Sequence, residues 1–154
     1  MATDEQKKEN TMQLVGITVT SLALGIWDMV GDGAYALCPA MGDQMLHLME
    51  HRMGLEIAGE NPQDVMTEIA RLLVDEFGLA QRVDLDHAEE MDTMTARTCA
   101  GAPLCGAFVQ NGVEPFTCIV RNVGFAALTR AGLRVRPQIT YNQPEGCVVA
   151  FRKR

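Results

Sequence analysis

The hydrophobic period of the chain changes near residue 80, and that change restricts the folds open to it. Before it, apolar residues recur every three or four positions; after it alternating stretches appear, with a helical stretch between them. Met12, Val15, Val19, Leu22, Ile26 and Met29 form one helical stripe, and Leu14, Ile17 and Leu24 add apolar surface on a second face. A helix apolar on two faces needs two partners, and one of them is expected to be another subunit. Gly31-Asp32-Gly33 closes this helix, since glycine accepts the positive φ of a helix end. A second helix is predicted from Pro39 to Arg52, with Met41, Met45, Leu48 and Met49 on one face and Asp43, His47 and Glu50 opposite. Asn61-Pro62 starts a third: Asn caps free amides and Pro tolerates the first turn. Its stripe is Val65, Ile69, Leu72, Leu73 and Phe77, stopped by Gly78.

Beyond residue 80, Val83, Leu85 and His87 alternate as a strand, and Met91 to Thr98 reads as its return. Cys99 to Cys105 is expected to be a loop, followed by a short helix from Gly106 to Asn111 and another from Phe116 to Arg130. Leu133, Val135, Ile139 and Tyr141 mark a strand, Asn142 to Gly146 a turn, and Cys147, Val149 and Phe151 a last strand. Pro137 cannot donate a ladder hydrogen bond, which places its strand at an edge or bulge. The order predicts an α+β fold, with N-terminal helices packed on a small antiparallel sheet and a C-terminal helix and hairpin. Residues 11–154 form one domain in this reading, and residues 1–10 a frayed N-terminus.

A net charge of -7 disfavours nonspecific phosphate binding, so no nucleic-acid partner is expected. The uncharged run Thr11 to Trp27 is short for a bilayer span and carries Gln13, Thr18, Thr20 and Ser21; it reads as a buried helix. With no signal-peptide pattern at the start and an odd count of five cysteines, a cytoplasmic location with free or metal-bound thiols is expected.

Those cysteines are the main chemical feature. Cys99, Cys105, Cys118 and Cys147 each lie at an edge of predicted structure, and folding these edges together brings four thiols to one end of the sheet. Four thiolates suit a tetrahedral zinc or an iron–sulfur cluster, although the spacing lacks CxxC pairs; the alternative is a set of small buried hydrophobes. Cys105 and Cys118, near helix starts, are also the candidates for a thiol nucleophile. Asp43, His47 and His51 follow one helix edge at steps of four, a loose metal pattern on a polar face. Cys38, Met41, Met45 and Met49, facing Phe116 and Val120, suit either a core or a pocket for a flexible apolar ligand. No dinucleotide fingerprint, P-loop or nucleophile elbow occurs.

Three stretches together resemble the vinyl-4-reductase domain of the hydrocarbon-binding protein group. They are Ile26 to Ala34 with Gly42 in the next helix, Asn61 to Gly78 with the Val83 strand, and the terminal helix and hairpin with Gly146-Cys147 before Phe151. The resemblance implies an α+β ligand-binding domain, often dimeric, with an enclosed apolar pocket. Some relatives hold zinc near the C-terminal hairpin through cysteines and an acidic residue. This chain has neither Glu nor Cys between Gln138 and Asn142, where two of those ligands would fall, while Cys147 matches the final hairpin cysteine. The reading is therefore a sensor or carrier of a small apolar or amphipathic molecule, acting as a homodimer. A cysteine-ligated zinc or iron–sulfur protein and a thiol-dependent enzyme using Cys105 or Cys118 are the alternatives.

Overall fold

Four antiparallel strands form one layer of the molecule: β1 (Arg82–His87), β2 (Met91–Arg97), β3 (Val135–Asn142) and β4 (Gly146–Lys153). Their order is β1-β2-β4-β3, so the terminal hairpin joins the sheet through β4 and leaves β3 at an edge. Pro137 lies on that edge strand, opposite Phe151, where its missing donor is tolerated. Strict alternation buries Asp92, Met94 and Ala96 of β2 and Cys147, Val149 and Phe151 of β4. The computed structural model describes residues 2–59, 61–142 and 146–154; the tip of the turn expected at Asn142 to Gly146 lies outside them.

Helix α5 (Ile119–Arg130) lies at the centre of the helical layer, with α2 (Cys38–Met53) on one side and the sheet on the other. Two glycines let it sit so close. A Cβ on Gly42 would lie 2.3 Å from the Asn122 carbonyl oxygen, and one on Gly124 would lie 2.5 Å from Phe151 Cζ. Helix α3 (Pro62–Arg71) starts as expected, with Asn61 Oδ1 accepting the Asp64 N–H at 3.0 Å. It widens into a π turn over Leu72–Glu76, which keeps Leu72 and Leu73 in the core before Gly78 turns the chain at φ 57°.

Three boundaries differ from expectation. Helix α4 (Ala102–Gln110) begins inside the stretch expected to be a loop, with Pro103 in its first turn, where no amide is lost. Helix α5 begins at Ile119 rather than Phe116, because Cys118 is extended at its N-cap. Helix α1 (Asp4–Val30) takes in residues expected to fray: Thr3 Oγ1 accepts the Gln6 N–H while Gln6 Oε1 accepts the Thr3 N–H, a reciprocal cap.

The larger departure concerns what covers α1. It rests on α4 along a line of small residues, with Gly16 beneath Leu104 and with Thr20 and Ala23 buried. Its C-terminal end joins a second apolar cluster of Ala23, Ala34, Cys38, Phe108, Val113 and Phe116. The rest of the Thr11–Trp27 stretch, expected to be buried, is largely bare, with Met12 69% and Leu22 65% exposed. The helical run Asp4–Met53 contains an 18-residue window of mean hydropathy 1.6, long and apolar enough to cross a bilayer, of which 11% is buried.

Candidate functional site

Between α2, the π turn and the start of α5, the packing leaves an apolar groove of about 370 Å³. Met45, Leu48, Met49 and Met53 line it from α2, Leu73, Phe77 and Leu79 from the π turn and the residues after it, and Ile119 and Val123 from α5. Arg52 is the one charged residue in this lining, and it has no ion-pair partner among the described residues. Unbranched thioethers on one wall can reshape around a flexible guest. The rim is open, since Met53 is 55%, Phe77 36% and Ile119 39% exposed. This is a groove and not the enclosed pocket that was expected.

Only part of the expected ligand set meets here. Met45 and Met49 line the groove, whereas Met41 is half-buried outside it. Cys38 and Phe116 pack together in the second apolar cluster, with Cys38 Sγ donating to the Phe116 carbonyl at 3.5 Å. Val120 is buried in the main core. Phe77, Leu79 and Ile119 were not expected in the site. Phe77 reads as core by its local period, and nothing in one segment signals that it borders a cleft built from three.

The thiols sit just beyond one wall of the groove. Cys99, Cys105 and Cys118 border a separate void of about 80 Å³, which shares Leu79 and Ile119 with the groove and is covered from α1 by Val19 and Thr20. Cys147 approaches the same place from the sheet, near enough for its thiol and that of Cys118 to act on Cys105. Local geometry explains the convergence. Cys147 pairs with Ala96 in the ladder, and Gly146 at φ 112° admits Ala96 so closely that a Cβ would fall 2.0 Å from its carbonyl oxygen. Thr98 turns at φ 51°, and Cys99 then accepts the Ala102 N–H at 3.0 Å as α4 begins.

The thiols act on one another's acidity. Interaction with Cys118 and Cys147, together with burial, pushes the Cys105 thiol well up. Interaction with Cys105 holds Cys118 and Cys147 below the ordinary thiol value. The Val120 and Arg121 amides face Cys118 and act in the same direction, although no cap hydrogen bond of normal length forms there. Burial pushes Cys99 up.

Four thiols suit a soft metal ion by donor chemistry, and three of them border the void. Among the described residues, however, no group of three or more His, Cys, Asp or Glu side chains is placed as a ligand shell. Asp43, His47 and His51 do not form one either; the two imidazoles lie 4.2 Å apart on an exposed face.

The family described as "putative rubredoxin C-terminal domain" matches residues 12–149. Among solved structures, the chain is similar to trafficking protein particle complex subunit 3 from Naegleria fowleri, determined covalently bound to palmitic acid. The TM-score is 0.66 at 15% identity, covering 95% of this chain and 96% of that one. At that identity the likeness is one of fold. Among curated proteins none matches. The vinyl-4-reductase description is not the one these comparisons return.

Proposed function

The chain belongs to the putative rubredoxin C-terminal domain family over residues 12–149, and on that footing we propose that its groove binds one small, flexible apolar or amphipathic molecule of fatty-acyl type. The observation that carries this reading is the groove itself: three methionines of α2 face Phe77 and Ile119 across about 370 Å³, with a lone arginine in the lining. That volume falls in the range of roughly 300–1,000 Å³ typical of small-molecule sites. Arg52 is suited to a carboxylate head group while the tail lies along the thioethers. A structural neighbour of the same fold carrying palmitic acid supports the choice of ligand class.

The bare α1 stripe supports a homodimer paired through that helix, and the free thiols suit a cytoplasmic setting. Rubredoxin in the family's description points to iron, yet among the described residues no group of three or more His, Cys, Asp or Glu side chains is placed to hold it, so the reading rests on the groove alone.

The test is titration of the protein with a fluorescent long-chain fatty acid. Met45→Asp is expected to weaken binding at least tenfold. It should cost only about 1 kcal/mol of stability, because the groove is open and the carboxylate can stay hydrated. Undiminished affinity in that variant would remove the groove as the ligand site.

A further inference from the structure

Arg136 of β3 and Arg152 of β4 are direct partners in the ladder. The pairing runs one step further, with the Arg154 N–H donating to the Arg134 carbonyl at 2.9 Å. Alternation puts all four side chains on the solvent side of the hairpin. Val135 and Phe151 beside them are buried, Lys153 turns inward to Asp92 at 3.1 Å, and the four arginines are exposed. Cross-strand partners stand about 5 Å apart at Cβ, and residues two apart on a strand about 7 Å, so the four side chains root in one small rectangle. Like charges directly opposite each other destabilise a sheet. Elsewhere this chain of net charge -7 gives its arginines partners: Arg71, Arg82, Arg97, Arg121 and Arg130 each meet a Glu or an Asp. Arg134, Arg136, Arg152 and Arg154 form no ion pair among the described residues.

The surroundings narrow what can take up this charge. Neither β3 nor β4 has an exposed large apolar side chain to enter a lipid layer. Their aromatic residues are turned inward, Phe151 buried and Tyr141 donating to the Ala102 carbonyl at 3.0 Å, so no ring is offered to a nucleic-acid base. On the β2 side Glu90 stands beside the patch, its carbonyl accepting the Lys153 N–H at 2.9 Å, and Glu89 is next to it; both are exposed. A broad polyanion lying across the sheet would meet those carboxylates and be repelled. On the other side β3 ends the sheet, so no further strand stands in the way. A narrow acidic strand running along β3 satisfies both conditions. An extended peptide turns every second side chain to one side at a repeat of about 7 Å, the same repeat that separates Arg134 from Arg136 and Arg152 from Arg154. We propose that this face of the hairpin docks an acidic segment of a partner protein, extended along β3, whose alternate Asp or Glu carboxylates pair with the four guanidinium groups. The partner supplies the negative charge that the chain itself withholds from these arginines.

The experiment uses the full chain and a fluorescent peptide in which glutamates alternate with serines, read by anisotropy. The peptide should bind at near-physiological salt and be released as salt rises. Arg136→Ala and Arg152→Ala should each weaken binding by up to about fivefold, the upper range for an exposed ion pair. Arg136→Glu combined with Arg152→Glu should abolish it. Each single alanine relieves a like-charge contact, so the unfolding midpoint should stay level or rise, the opposite of what loss of a structural arginine does. Arg82→Ala, at the other edge of the sheet where Arg82 pairs with Asp84, should leave affinity unchanged. A peptide of the same composition with its glutamates consecutive should bind more weakly; equal affinity overturns the extended register. A peptide that does not bind, or that binds the double Glu variant undiminished, overturns the site. Anionic phospholipid vesicles or duplex DNA held through these arginines more tightly than the peptide would overturn the choice of a protein partner.

Discussion

Helices α1 and α5 are both apolar, and the fold treats them in opposite ways. Eight of the twelve residues of α5 are buried, Arg121 and Asn122 among them, against two of the 27 in α1. Size of side chain separates the two better than apolar content does. Helix α5 meets neighbours at glycines, its own Gly124 under Phe151 and Gly42 of α2 over Asn122, so backbones approach and both faces close. Helix α1 buries one line of small residues, Thr20 and Ala23 with Gly16 against Leu104 of α4, while a Cβ on its Gly25 would meet nothing within 4 Å. Large residues such as Met12, Leu14, Leu22 and Met29 stay more than half exposed. Small residues at helical spacing therefore mark where a neighbour arrives. Large ones mark only that a neighbour is wanted.

The sharpest way to test the α5 side is at Gly42. A methyl group there would sit 2.3 Å from a backbone carbonyl oxygen and 2.9 Å from Ala126 Cβ, and neither atom is the end of a flexible side chain. Gly42→Ala is expected to lower stability by about 3 kcal/mol, read by urea unfolding, despite the better helix propensity of Ala. A neutral result would mean that α2 and α5 can slide apart freely, and the contrast with α1 would lose its physical basis.

On the α1 side the expected effect on a single copy is small and the effect on association is large. Leu22→Glu places a carboxylate on a residue that is 65% exposed, so unfolding of the isolated chain should change by no more than about 0.5 kcal/mol. If α1 pairs with a second copy, the same change should convert dimer to monomer in light scattering. Loss of binding to lipid vesicles, with an unchanged monomer, would instead make the bare stripe a membrane surface. A fall of several kcal/mol in a species that is monomeric throughout would show that α1 is inside a core after all.

The architecture was legible because it rests on period. The switch near residue 80 placed helices before strands, Asn61-Pro62 gave the start of α3, and Pro137 gave the edge strand. Boundaries set by covering contacts were less legible. The run from Cys99 to Cys105 looked like a loop because of its Gly and Pro, yet Pro103 fits a first turn and the helix proceeds. The thiol gathering could be anticipated, since each cysteine stands at an element's edge and edges collect at one end of a sheet. The groove could be seen only in half. Met45 and Met49 belong to one helix and share a face, whereas Phe77, Leu79 and Ile119 join them through tertiary packing that no local pattern encodes. Thr11 to Trp27 was misjudged for the same reason: an apolar stripe reports a demand for cover and says nothing of whether the chain supplies it.

The smallest effect is expected at the far end of α1, and it sharpens the comparison most finely. Thr3 and Gln6 satisfy each other's amides at 3.2 and 2.9 Å, and Lys7 pairs with Asp4 at 2.9 Å, all on exposed residues. These local bonds are what the first turns of α1 have, because its tertiary contacts begin only near Gly16. Removing an N-cap typically costs about 1 kcal/mol of helix stability. That loss reaches the global unfolding energy only if the first turns stay folded until the whole molecule unfolds. In a single copy they need not. Thr3→Ala should therefore change global stability by less than about 0.5 kcal/mol, while amide exchange near Gln6 and Lys7 speeds up roughly fivefold, the factor that 1 kcal/mol corresponds to. Repeating the measurement at high protein concentration adds the decisive contrast. If a second copy covers α1, its start is then locked to the rest of the fold, and the full cost of the cap should appear in global stability and in the midpoint of unfolding. Equal effects at both concentrations would argue that nothing in solution covers this helix.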